Sequence, residues 1–408
     1  MAQILSIKIK NYRSFYTEQI LCFGIESARN VTAIFGPNSG GKSNTAKAIG
    51  LIQDIIVKSA NADYKLPYDP FRLREGSDSE DCFFEVVFSM GGRLYIYSIA
   101  FNIGQITMEK LEEKSEKVNR MRVIFSRDKN GITNKSAEKF GFGRRLLNKT
   151  RKETLLITKA REDNNYYANV VFDMVHSIDV IPGEGIMLQG YAIAIMRNNP
   201  DIKEKMIDLM LSCDFAIRDI LIEEQLFDED QLANSPIPEG IKPYLSKNGA
   251  AFVHTAHAVR NDDRKVTGLH YFHLDTQESM GTRKFFEMAA PAIQALEYGK
   301  TLYIDEFGAF FHTELAKYII DLFNSEKNDK GASLIINTNN IAIMSLNGLK
   351  RDDIVLIQKN LSEESIITPL VKKATRDNEA FEKRYSQGFY GSVPILRDRS
   401  DNVQDKAR

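Results

Sequence analysis

Eight consecutive residues, Gly36-Pro37-Asn38-Ser39-Gly40-Gly41-Lys42-Ser43, constrain this chain more than any other feature. They spell GxxxxGK[ST], a loop that closes on phosphate only where a strand ends and a helix begins. Residues 31–35, Val-Thr-Ala-Ile-Phe, read as that strand, and residues 44–52 read as the helix, whose free N-terminal amides point at an anion. Gly36, Gly40 and Gly41 let the backbone wrap the phosphates, with Asn38, Ser39 and Asn44 completing the surround. Lys42 is expected to reach the β and γ phosphates and Ser43 to ligate Mg²⁺. A chance turn of glycines would lack the strand, the helix and the Lys-Ser pair together. ATP and Mg²⁺ are the expected cofactors.

The 408 residues leave room for two or three folding units and a large core. Lys plus Arg (54) nearly cancel Asp plus Glu (55), so any pull toward nucleic acid must be local. It is concentrated in residues 114–161, where fifteen basic residues stand against four acidic ones, net +11. Arg144, Arg145, Lys149, Arg151 and Lys152 are its densest cluster, suited to a nucleic acid or an acidic protein unless it is merely a solvated face. The alternating N-terminus lacks a signal-peptide core, and the apolar stretch 186–196 is too short to span a bilayer, so no membrane partner is expected. Three scattered cysteines argue against a disulfide framework and fit a cytoplasmic setting.

Two distant motifs complete the phosphate loop. Residues 301–306, Thr-Leu-Tyr-Ile-Asp-Glu, form an apolar strand ending in two carboxylates, the form of a Walker B. Asp305 would hold the magnesium water shell, and Glu306 would orient and deprotonate the attacking water. About 25 residues earlier, Glu278-Ser279-Met280-Gly281-Thr282 opens a helix in the layout of an ABC signature. In that layout Ser279 and Gly281 cap ATP bound to a second subunit. The plainer reading of such a serine is a helix N-cap.

With these motifs the chain resembles ABC-type ATPases of the OLD-like and abortive-infection group, relatives of SMC and RecF heads. Asn11-Tyr12-Arg13-Ser14-Phe15 is similar to the group's Asn-aromatic-Arg-Ser-Phe element, which implies that Arg13 approaches the nucleotide. Tyr95, Tyr97, Glu109 and Leu111, the stretch 215–220, and Asp305-Glu306 with His312 resemble further group stretches, as does the closing run 385–394. The resemblance implies an α/β fold, an ABC-type P-loop ATPase head split in sequence by a largely helical insertion. It also implies a homodimer or higher oligomer and a phage-defence role as sensor of a separate effector encoded nearby. The stretch after residue 339 looks too short for the Toprim nuclease of OLD-type proteins.

Two departures matter. Asn339 stands where the group carries a switch histidine; an amide can contact a γ phosphate but cannot carry a proton, so slow hydrolysis is expected. Met280 replaces a common signature glycine, which weakens closure. Neither His254 with His257 nor His270 with His273 has the carboxylates or cysteines that would complete a zinc site.

The expected domains are a first head half, 1–110, a basic and helical insert, 111–259, a second head half with signature, Walker B and switch strand, 260–372, and an extension, 373–408. The rival function is a RecF- or SMC-like DNA-repair or chromosome-maintenance ATPase, although no sustained heptad arm is seen.

Overall fold

The computed structural model describes residues 2–23, 30–115, 120–183, 187–228, 242, 246–247, 249–309, 312–346, 348–374 and 380–391. Lys117, the acidic pair 229–230, the prolines of 236–243 and the 392–394 end of the closing run lie outside these residues. The chain divides into two compact units. One comprises Met1–Gly183, Tyr298–Ala309 and Ile320–Arg408, the other Glu184–Glu297 and Phe310–Ile319.

The first unit is built on two sheets. Strands β1 (Gln3–Lys10), β2 (Gln19–Cys22), β4 (Cys82–Met90), β5 (Arg93–Phe101), β6 (Ile106–Ser115), β7 (Arg122–Asp128) and β8 (Gly131–Ile132) pair antiparallel in the order β2-β1-β4-β5-β6-β7-β8. Gly91 and Gly92, both at positive φ (56° and 69°), make the two-residue turn between Met90 and Arg93 that the sequence signals. The second sheet contains β3 (Val31–Phe35), β9 (Ile178–Ile181), β13 (Thr301–Ile304), β14 (Ser333–Thr338), β15 (Ile354–Lys359) and β16 (Ser365–Pro369). Its order is β16-β15-β3-β14-β13-β9, parallel except at the β15–β16 edge. Helix α1 (Lys42–Lys58) follows β3 and buries Ala46, Ala48, Ile49, Ile52, Ile55 and Ile56 along one side. An antiparallel sheet joined to a P-loop sheet gives the α/β, ABC-type head expected from the motifs.

The expected boundary at residue 110 does not separate head from insert. It falls inside β6, and β7, β8 and β9 all belong to the two head sheets, so the first unit runs unbroken to Gly183. The basic stretch 114–161 therefore starts in strands of the head sheet, β6 to β8, and ends in the short helices α2 (Arg144–Leu147) and α3 (Leu156–Glu162), with α4 (Tyr166–His176) just beyond it. Its strands hide from a reading of apolar alternation because their inward positions carry charge. In β6 the buried residues include Glu109, Leu111 and Glu113.

Both buried carboxylates of β6 are matched. Glu109, fully buried, accepts from Tyr97 Oη (2.9 Å), Arg127 Nε (3.0 Å) and the backbone amides of Leu156 (2.7 Å) and Ile157 (3.0 Å). It thereby caps the N-terminus of α3. Arg127 uses its other edge on the Thr154 carbonyl at 2.6 Å. Glu113 pairs with Arg93 and Arg122; burial pushes its carboxyl up, but the two guanidiniums prevail and hold it below the usual range. Much of the apparent basic field is thus consumed internally. Arg151 donates to the Ser59, Ala60, Asn61 and Ala62 carbonyls at the C-terminal end of α1, and Arg161 stacks on Phe172 at 4.2 Å. Arg144, Arg145, Lys149 and Lys152 are exposed.

In the second unit, α5 (Met187–Asn198) and α6 (Pro200–Ser212) precede a three-stranded antiparallel sheet of β10 (Ile217–Gln225), β11 (Ala250–Arg260) and β12 (Val266–His273). The spacing of Ile202, Met206, Ile207, Met210 and Leu211 predicts one buried face of α6; Ile202, Met206 and Met210 are buried together with Leu209, whereas Ile207 and Leu211 are only partly buried. The composition of residues 201–224 predicts helix throughout, but the helix ends at Ser212 and β10 follows, where the buried Ile217 and Ile220 are separated by Arg218 and Asp219. Helices α7 (Leu274–Gln277) and α8 (Met280–Tyr298) come next, while α9 (Thr313–Asn324) spans the boundary and α10 (Phe381–Ser386) lies in the first unit. Among the described residues no helix is long and apolar enough to cross a membrane.

Truncating Glu109 to alanine leaves Arg127 buried without its carboxylate and uncaps α3. The expected loss is about 3–5 kcal/mol, read as a lower urea midpoint at unchanged slope. A loss below about 1 kcal/mol would show that the network contributes little.

Candidate active site

The phosphate loop is held by close packing against β15, β16 and the turn that carries Ser14. A Cβ at Gly36 would lie 2.0 Å from the Ile357 carbonyl oxygen of β15, and one at Gly40 would lie 2.9 Å from the Pro37 carbonyl. Gly41 adopts φ 109° immediately before α1, where a Cβ would collide with Ser365 Oγ and Ser14 Oγ. All three glycines are thus required by space, and Gly41 also by conformation. Ser365 clamps the loop from β16, donating Oγ to the Gly40 carbonyl (2.7 Å) and its amide to the Ser14 carbonyl (2.7 Å). Asn44 donates to Ser14 Oγ at 2.8 Å.

Lys42 is buried, and its ammonium donates to the Gly36 (2.8 Å) and Pro37 (3.1 Å) carbonyls, drawing the two ends of the loop together. Burial lowers its pKa, opposed by the nearby charges of Asp305 and Glu306. Those carboxylates follow β13, separated from the loop strand β3 by β14, at the C-terminal edge where open parallel sheets bind ligands. Asp305 Oδ1 accepts from Asn337 Nδ2 (3.0 Å) and the Glu306 amide (3.2 Å). Among the described residues no donor reaches Oδ2. Glu306 sits at φ 56°, uncommon for a residue with a side chain, and Gly183 at the end of β9 lies directly against it.

This arrangement fits a magnesium nucleotide. The cradle is closed to any Cβ, it runs directly into the N-terminus of α1, Ser43 is only partly buried in the first turn of that helix, and one Asp305 oxygen is uncommitted. Ser43 and Asp305 would hold Mg²⁺, which supplies charge neutralisation at the phosphates. Asn38 and Ser39 are exposed at the loop tip, Ser39 at φ 61°. Asn339 is exposed, hydrogen-bonds to no described residue, and lines one cavity with Gly36, Pro37, Asn38, Tyr385 and Ser386.

The other sequence-derived residues fall out unevenly. Arg13 (φ 50°) pairs with Asp69 at 3.0 Å, while its neighbour Ser14 touches the loop. Asn11 anchors this turn from a fully buried position, donating to the Ser77 and Glu80 carbonyls at 2.9 Å each. Ser279 and Gly281 belong to the second unit. There Ser279 caps α8, its Oγ accepting the Thr282 amide at 3.1 Å, and the preceding Glu278 accepts from Thr255 Oγ1 (2.5 Å) and contacts His257 Nε2 (2.7 Å). His312 likewise takes the Glu314 amide on Nδ1 at 3.2 Å. Across β11 and β12, His254 faces His273 and His257 faces His270, yet no group of three metal-ligating side chains occurs among the described residues. Sequence reading missed Gly183, Ser365 and Asn337. Only Asn337 left a signal, as an amide within an apolar strand.

A family model described as "AAA domain, putative AbiEii toxin, Type IV TA system" matches residues 31–177 and 201–345, most of the chain. The chain belongs to this family. Its match covers the phosphate loop, Walker B and the Asn337–Asn339 strand end, so the AAA/AbiEii assignment and the constructed site coincide. Comparison with curated proteins gives no match. Among solved structures, the SMC head domain from Thermotoga maritima is similar at 15% identity over 90% of this chain and 98% of that one, with a TM-score of 0.42. An Smc head domain with an extended coiled coil, bound to the C-terminal domain of ScpA and derived from Pyrococcus furiosus, is similar at 12% identity over 91% and 98%, also with a TM-score of 0.42. As an AAA/AbiEii member the chain carries a P-loop ATPase domain.

The contact at Gly183 makes Glu306 sensitive to a single methyl group. A Cβ there would lie 2.6 Å from Glu306 Cγ and 2.8 Å from Cδ, so the carboxylate must shift. Gly183→Ala should slow single-turnover ATP hydrolysis by roughly 10²-fold while leaving ATP affinity within about twofold. Wild-type rates in this variant would remove Glu306 from the chemistry or show that the β9 end yields freely.

Proposed function

We propose that this chain binds Mg-ATP at a dimer interface, hydrolyses it slowly, and serves as the sensor and regulatory subunit of an anti-phage defence system that controls a separate effector. The observation that carries the reading is the convergence of Lys42, Ser43, Asp305 and Glu306 on one glycine cradle. In it the loop amides and Lys42 take the phosphates, Asp305 and Ser43 hold the metal, and Glu306 receives a proton from the attacking water. A second copy supplies Ser279 and Gly281. Ser279 and Met280 are exposed, and a capping serine can still donate its hydroxyl proton outward. The AAA/AbiEii description supports the defence role.

The exposed set Arg144, Arg145, Lys149 and Lys152 is the surface for a nucleic acid or an acidic protein. Asn339 keeps the nucleotide sensed but hydrolysed slowly, because its amide contacts phosphate without moving a proton. Such a site acts as a latch that persists until triggered.

Two variants test the site. Lys42→Ala should abolish ATP binding in titrations, whereas Glu306→Gln should bind ATP, hydrolyse it orders of magnitude more slowly, and run as an ATP-dependent oligomer on sizing. Unchanged affinity in the first would misplace the site; a monomer in the second would end the interface model. Asn339→His should raise single-turnover hydrolysis by about 10²- to 10³-fold, the worth of one transition-state contact, with little change in affinity. A wild type already fast, with a histidine variant no faster, would defeat the latch.

A further inference from the structure

Asn337 is a polar residue in the apolar strand β14, fully buried and with every hydrogen-bonding atom of its side chain engaged. Its amide nitrogen donates one hydrogen to Asp305 Oδ1 (3.0 Å) and the other to the Lys42 carbonyl (2.9 Å). Its amide oxygen accepts from Tyr303 Oη at 2.8 Å. The Lys42 carbonyl belongs to the peptide group that begins Ser43. One side-chain amide therefore holds Asp305 directly and Ser43 through the peptide bond that precedes it.

We propose that Asn337 is a positioning residue that fixes the separation of Asp305 and Ser43, and so sets how readily the site accepts a divalent cation with its nucleotide. The proposal deepens the ATPase reading and rests on it. Three facts make the amide a rigid spacer. Tyr303 is fully buried and directs its hydroxyl to Asn337 Oδ1, holding the amide oxygen in place. Thr45 Oγ1 of α1 lies 2.5 Å from the same hydroxyl, tying helix and strand together independently. The backbone carbonyl of Asn337 accepts the Phe307 amide at 2.8 Å, so the turn carrying Asp305 and Glu306 is pinned to the same residue. With both of its amide hydrogens committed, Asn337 directs Asp305 Oδ1 inward and leaves Oδ2 for the metal's water shell.

The test separates metal acceptance from nucleotide binding. Fluorescent ATP is titrated in EDTA and then at increasing MgCl₂, using the full chain and the variants Asn337→Leu and Tyr303→Phe. Asn337→Leu should raise the MgCl₂ needed for half-maximal hydrolysis at least tenfold while affinity in EDTA stays within about twofold. Tyr303→Phe, which keeps both donated bonds and loses only the clamp on the amide oxygen, should give a smaller shift in the same direction. Unchanged magnesium dependence in both variants overturns the proposal. So does an equal loss of affinity in EDTA, which would make Asn337 a support of the loop alone. If Asn337→Leu does not fold, Tyr303→Phe decides by the same two readings. A wild type that binds no ATP in either condition removes the ATPase reading and the proposal with it, whereas a wild type that binds normally confines any failure to Asn337.

Discussion

The head depends on a close approach of backbone to backbone. The phosphate loop leaves β3 and passes within a methyl's width of the Ile357 carbonyl on β15, an approach that only Gly36 permits. Because β15 is hydrogen-bonded to β3 and to β16, the loop's rear wall is part of the sheet itself. Ser365 can then reach Gly40 from the neighbouring strand, and Ser14 can reach Asn44 from the other sheet's first turn. Loop shape is consequently a property of the whole first unit.

The same economy governs charge. Several polar groups buried in this unit occur in matched sets: Glu109 with Arg127 and two helix amides, Glu113 with two arginines, Asn337 with Tyr303 and Asp305. A closed set specifies one arrangement, since a displaced member strands its partners without water. Asp305 and Glu306 sit at the rim of such sets. Asp305 is tethered by one oxygen only, and Glu306 is constrained by shape at Gly183.

Much of the site was legible because its parts are local motifs. The loop, its strand and helix, the Asp305-Glu306 pair and the Gly91-Gly92 turn each need specific residue types at fixed spacing, and the structure places each as that spacing required. The path of residues 111–183 was not legible, because Glu109 and Glu113 occupy positions where an apolar alternation would have announced β6. Their partners lie on other strands and cannot be identified without the fold. Gly183 and Ser365 escaped for the same reason, being far in sequence from what they touch. Ser279 carried two readings in sequence, and the N-cap is visible while a cross-subunit role needs a second copy.

Arg151 shows what such closure does to a map of surface effects. It is exposed and stands between Arg144, Arg145 and Lys149 on one side and Lys152 on the other, so a charge scan would group it with them as a partner contact. Its guanidinium, however, terminates α1, the helix whose opposite end forms the phosphate cradle. Altering Arg151 would perturb the far end of the nucleotide helix, and any binding defect it produced would be misattributed to the ligand. A faithful charge map of this face has to be drawn with Arg151 left in place.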